Sequence, residues 1–215
     1  MPNAARLGAP GASIYAVSDF PLPLKLGQTA FVAVLVPTYW RHYGPGNFLW
    51  FSDVALLLSV PALWSGSRLL ASTQAIAVAV PEGVWTIDFA IGLLRGRTAV
   101  GLAEYMFDRR LPRPLRALSL FHLWLPALFG WMACRIGYDR RALPAQTLFG
   151  SGVLVASYLL TLPQENVNWV FGIAGAEKRR RLGRLVAALL LFPLLFYAPA
   201  HVAFARMCAP GEGQA

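Results

Sequence analysis

The chain has 215 residues, 57% of them hydrophobic and 13% charged, with a formal net charge of +9. Soluble domains average about 45–50% apolar and about 25% charged residues, so the composition excludes a soluble domain with an anchor and points to one membrane domain. The basic residues lie in short loops between apolar runs, not on a basic face with interleaved aromatics, so no nucleic-acid partner is expected.

In chain order, residues 1–25 read as a mobile tail. They lack the basic start and compact apolar run of a signal peptide. A single membrane domain then covers 26–206, and 207–215 read as a flexible tail. The predicted fold is all-α, a polytopic bundle of six transmembrane helices at 26–40, 47–64, 69–94, 115–136, 142–162 and 185–205. The turn signals between them are Gly44-Pro45-Gly46, Ser65-Gly66-Ser67 and Gly137-Tyr138-Asp139. Pro81-Glu82-Gly83 predicts a kink or break in the third span, because proline removes a backbone donor. Residues 98–108 predict a short interfacial helix between spans 3 and 4, with Leu102, Tyr105 and Met106 facing inward. Cys134 and Cys208 have no paired spacing, so neither metal nor a disulfide is expected, and Cys134 reads as a buried thiol.

With six spans, the larger share of the 19 Lys and Arg lies on one side, in loops 95–116 and 173–184. The positive-inside rule makes those loops cytoplasmic, which places the protein in a cell membrane with both termini outside.

Charged residues inside apolar helices are costly, at least about 2.5–3.5 kcal/mol each, and they mark function by default. Asp53, Asp88 and His122 each fall about two turns from the basic side of their spans, and 164–169 begin where the fifth span exits there. Four separated segments thus bring polar groups into one leaflet. His122 is the candidate base, Asp53 its orienting partner, and Asn168 and Asn166 candidate donors to a carbonyl or oxyanion. Arg41, beside the Gly44-Pro45-Gly46 turn, suits a lipid phosphate, with Trp169, Asp88 and the deeper Glu82 as further binding residues. The same groups also suit helix-to-helix pairing. Asn after Pro163 is ordinary turn chemistry, and tryptophans near span ends form an aromatic belt. His201 reads as structural. Ser52 is the nearest candidate nucleophile, without the G-x-S-x-G elbow. No metal spacing or cofactor motif occurs, and haem or pigment binding stays open.

Three segments, F-S-D-V-A-L at 51–56, L-F-H-L-W-L-P at 120–126 and N-V-N-W-V-F-G at 166–172, carry a family resemblance. The chain resembles bacterial six-span integral membrane proteins that share an N-W-V-F-G segment. More distantly it is similar to the YwaF-like and androgen-dependent TFPI-regulating membrane proteins. The resemblance implies a six-helix bundle with an intramembrane site. From the eukaryotic relatives it implies acyl-ester chemistry with a Thr or Cys nucleophile and a His. Only His122 carries over, because no Thr or Cys stands at the nucleophile position.

The leading expectation is a lipid-directed hydrolase or acyltransferase with membrane lipids as partners. The alternatives are a non-catalytic subunit that packs on a membrane-protein partner through spans 5 and 6, whose Gly150, Ser151, Gly152 and Ser157 permit close approach, and a solute or proton pathway through Glu82.

Overall fold

The computed structural model describes residues 20–172 and 179–208. The described residues are helical, without strands, and form eight α-helices. These are α1 (Leu22–Tyr43), α2 (Phe51–Ser65), α3 (Arg68–Arg95), α4 (Arg113–Leu118), α5 (Phe121–Ile136), α6 (Ala142–Leu160), α7 (Leu182–Phe192) and α8 (Ala198–Met207). Four segments are long and apolar enough to cross a membrane: Arg68–Arg95, Arg113–Ile136, Ala142–Leu160 and Leu182–Met207. Their outer faces carry exposed Ile87, Leu94, Leu148, Leu160, Leu190 and Leu194, a surface compatible with contact to lipid tails.

Glycine and proline set several boundaries. Pro21 and Pro23 open α1, where a missing amide hydrogen costs nothing. Gly66 and Gly96 end α2 and α3 at φ +62° and +71°, the left-handed stop that a side chain disfavours. Ser67 caps α3 by accepting the Leu70 amide at 3.3 Å.

The centre of the bundle is α3, which packs against α2, α5, α6 and α8. Its run from Ala71 to Val78 is buried on all sides, and its many small side chains let neighbouring backbones come close. Gly150 on α6 is another such approach: a Cβ there would stand 2.6 Å from the Tyr197 hydroxyl. Part of the small-residue face of α6 is therefore occupied within the chain, with Gly150 and Ser157 buried and Gly152 open.

Several expectations change. The first helix begins at Leu22 and Phe20 is buried, so the ordered domain starts before residue 26; residues 1–19 of the expected tail lie outside the described set. Helix α3 runs unbroken through Pro81 and Gly83, because packing on several sides holds it where local propensity does not. The expected helix at 98–108 shrinks to one 3-10 turn, Glu104–Phe107. Its apolar residues Leu102, Tyr105 and Met106 do face inward, against Trp85 and Phe89. The last span is α7 and α8 joined by a π turn at Pro193–Tyr197, where proline withdraws a donor from the ladder. The helix reaches Met207, and Cys208 forms a disulfide with Cys134, so neither the free-thiol reading nor the tail boundary at 207 holds. The two cysteines are 74 residues apart, and only the adjacency of the C-terminal ends of α5 and α8 unites them.

Ahead of α7, Arg180 turns back onto the end of α6. Its guanidinium donates to the Tyr158 carbonyl and, at 2.9 Å, to that of Thr161, and it lies over the Tyr158 ring. A cation there satisfies carbonyls that have no helical donor left.

Candidate functional site

A cavity of about 390 Å³ opens between the C-terminal end of α1, the start of α2, the middle of α3, the α4–α5 junction and the loop that joins α3 to α4. Tyr39 and Tyr43 reach it from α1, one turn apart on one face. Ser52 and Asp53 come from α2, and Pro81, Glu82 and Trp85 from α3. Ser119 and His122 belong to the α4–α5 junction, and Gly101, Leu102, Tyr105 and Leu111 form the loop wall. Asn47, Trp50 and Trp169 complete the lining.

His122 is the best-oriented group. Its ring stacks on Trp85 with centroids 4.6 Å apart, and its Nδ1 lies 2.6 Å from the Ser119 carbonyl oxygen. A carbonyl only accepts, so Nδ1 carries the hydrogen and donates it. In the neutral ring this leaves the lone pair on Nε2. Nε2 faces Glu82 Oε2 at 3.8 Å. Glu82, not Asp53, is thus the carboxylate that His122 meets. The two residues lie on α3 and α5, whose crossing decides the pairing.

Asp53 still lines the cavity. Its expected depth of two turns into a span changes: it sits in the first turn of α2, yet is only 4% exposed, because the preceding 3-10 turn Pro45–Leu49 folds beside it. Four lining residues carry buried side-chain atoms without a hydrogen-bond partner: Asn47 Nδ2, Asp53 Oδ1, Glu82 Oε2 and Trp85 Nε1. Buried polar groups are ordinarily paired, so these atoms can still accept or donate to a ligand; outside the cavity Arg116, Gln146 and Tyr197 also carry unmatched atoms. Tyr39 is tied through its hydroxyl to Ser119 Oγ at 2.6 Å. Tyr105 lies in the loop wall, where burial raises its phenol above the ordinary value of 10.0.

The remaining expected site residues play other parts. Asn168, 1% exposed, spends its amide on structure. Its Oδ1 accepts the Phe51 amide at 3.1 Å, and its Nδ2 donates to the Leu49 carbonyl at 2.7 Å and to Ser157 Oγ at 3.1 Å. It ties the start of α2 to α6 and has no donor left for a substrate. Asn166 closes its own turn, accepting the Phe171 amide at 3.0 Å and donating to the Gly172 carbonyl at 2.7 Å. Both asparagines adopt positive φ, and so does Trp169 at +55°, a backbone state that an aromatic residue rarely takes. The asparagine network holds that strain and presents Trp169 to the cavity, edge-on to Trp50 with centroids 5.6 Å apart. Asp88 does not reach the cavity. Its carboxylate accepts the amides of Ala99 and Val100, each at 2.7 Å, and of Ala103 at 3.0 Å. It thereby fixes the loop that walls the cavity. Arg41 is exposed in the last turn of α1 and does not line the cavity.

Sequence reasoning missed Tyr39, Tyr43, Asn47, Trp85, Tyr105 and Ser119 as lining residues. The Tyr39/Tyr43 spacing and the Ser119/His122 spacing, each one helical turn, were the available signals. No metal-holding group of three or more His, Cys, Asp or Glu occurs among the described residues.

No protein-family model matches the chain, and neither a curated protein nor a solved structure matches it.

Proposed function

We propose that this chain is a six-span membrane enzyme that acts on lipid esters, as a hydrolase or an acyltransferase, with His122 as its acid–base group. The observation that carries the reading is the fixed His122 ring. The Ser119 carbonyl holds Nδ1–H, and Nε2 points toward Glu82 in a cavity that Ser52 and Asp53 also line. Nε2 takes the proton of the attacking hydroxyl, from water or from Ser52, and later returns it to the leaving alcohol. The Glu82 carboxylate stabilises the imidazolium between these steps. The Ser52 and Asp53 amides in the first turn of α2 have no helical carbonyl to bond, and they supply positive potential to an oxyanion near Ser52.

The six-span reading adds α1 and α2 to the four long apolar segments. The first has 22 residues, about 33 Å at 1.5 Å per residue. The second has only 15 residues, about 22 Å, and the 3-10 turn at Pro45–Leu49 extends its path. Cytoplasmic basic loops fit the Cys134–Cys208 disulfide, which lies at the end of α5 opposite the 95–116 loop, where an oxidising compartment would preserve it.

The test is fatty-acid release from ester phospholipids by the purified protein in nanodiscs. Glu82→Gln and Ser52→Ala should each lower the rate by about tenfold to 1,000-fold with folding intact. An unaltered rate in Ser52→Ala assigns the nucleophile to water. No release by the wild type across ester lipids, or an unaltered rate in Glu82→Gln, refutes the proposal.

A further inference from the structure

The proposed ester site has a charge pattern that its acid–base chemistry does not require. Two carboxylates line the cavity, and Asp53 and Glu82 are 4% and 5% exposed. Each has a buried oxygen without a hydrogen-bond partner. None of the lining residues is a lysine or arginine. His122 is the one lining side chain able to carry a positive charge, and it faces Glu82 alone. The walls are aromatic: Tyr39, Tyr43, Trp50, Trp85, Tyr105 and Trp169. Burying carboxylates without compensation is costly, whereas aromatic faces around carboxylates attract an organic cation through ring quadrupole and charge together.

We propose that the cavity binds a substituted ammonium group, with Asp53 and Glu82 as its counter-charges and the tyrosine and tryptophan rings as its cage. A volume of about 390 Å³ falls within the range of small-molecule sites, about 300–1,000 Å³. The ammonium belongs either to a lipid headgroup or to a free alkylammonium. A second depression lined by Arg109, Arg113 and Arg116 shares Leu111 with the cavity. It offers phosphate contacts beside the cage, a feature that a phosphate ester such as a phospholipid exploits and a free alkylammonium does not. This inference rests on the proposed function for the identity of the site, and it names the class of ligand.

The test follows the fluorescence of the detergent-purified full chain, since Trp50, Trp85 and Trp169 line the cavity. Tetramethylammonium chloride should give a saturable change that sodium chloride at equal ionic strength does not give. Asp53→Asn with Glu82→Gln should weaken it by about tenfold or more. Dihexanoyl phosphatidylcholine below its micelle concentration identifies the source. Binding at least about tenfold tighter than choline, with the margin lost in Arg109→Ala with Arg113→Ala, assigns the ammonium to a lipid. Equal binding of the two assigns it to a free cation. The proposal is overturned if a monodisperse wild-type protein shows no saturable response to tetramethylammonium. It is equally overturned if dihexanoyl phosphatidylglycerol binds as tightly as the choline lipid. Cation binding without ester turnover would remove the enzyme reading and leave the cage. Turnover indifferent to choline or glycerol headgroups would do the reverse.

Discussion

Two histidines near opposite ends of the helices are held in different ways. His201 on α8 meets the Tyr138 hydroxyl through Nδ1 at 2.8 Å, and Tyr138 packs on Phe204. Around that pair lie the Cys134–Cys208 disulfide, Arg68 Nε donating to the Gly137 carbonyl at 3.2 Å, and Ser72 Oγ accepting the Asp139 amide at 2.9 Å. Each of these groups has a partner, and together they clasp helix ends. His122 has one nitrogen fixed and the other turned into a cavity whose carboxylates have unmatched oxygens. Partnered polar groups rigidify a bundle, whereas unmatched ones cost stability and persist where a ligand repays them. The comparison sets partnered polar residues against cavity residues with unmatched atoms, a difference that residue type alone does not show.

The sharpest way to break that separation is to loosen the cavity wall. Asp88→Ala deprives three loop amides of a buried carboxylate acceptor. It should lower stability by about 4 kcal/mol, and hydrogen exchange should rise at 99–103. Unchanged exchange there would mean that the wall holds without Asp88. Next, Cys134→Ser at the clasp should lower stability by about 3 kcal/mol in thermal unfolding and leave ammonium binding unchanged. A matching loss of binding would merge the two ends into one unit. Gly150→Ala, which drives a methyl toward Tyr197, should cost about 2 kcal/mol by the same assay; an unchanged melting temperature would show that the Tyr197 ring retreats freely.

The smallest effect concerns pH. Arg141 donates to Asp139 through Nε at 3.1 Å and Nη2 at 2.8 Å, and this pairing holds the Asp139 carboxyl below its ordinary value of 3.8. A depressed carboxyl contributes stability that is complete above 3.8 and is lost as pH falls through the lowered value. The arginine is exposed, so screening keeps the contribution small. The melting temperature should fall slightly further below pH about 3.8 in the wild type than in Asp139→Asn, and identical profiles would refute the coupling.

Most helix positions were legible because apolar runs and Gly/Pro boundaries are local signals. Counting residues along each helix placed Asp53, Asp88, His122 and 164–169 in one leaflet with Glu82 deeper; the structure brings Asp53, His122, Trp169 and Glu82 to one space and leaves Asp88, Asn166 and Asn168 out of it. What was not legible depends on helix rotation and crossing. Counting cannot say that Glu82 faces His122, or that Asn168 turns toward Leu49 and Ser157 and away from the cavity. Nor does spacing along the chain announce the disulfide, which exists only because α5 and α8 end side by side.

The central claim is that the cavity around His122 performs chemistry and the clasped end does not. The most direct measurement compares ester-lipid turnover in His122→Ala and His201→Ala, both checked for folding, in the same nanodiscs. The account predicts about a 100-fold loss or more for His122→Ala and a rate near that of the wild type for His201→Ala. Equal losses in both, or turnover that survives His122→Ala, would contradict it.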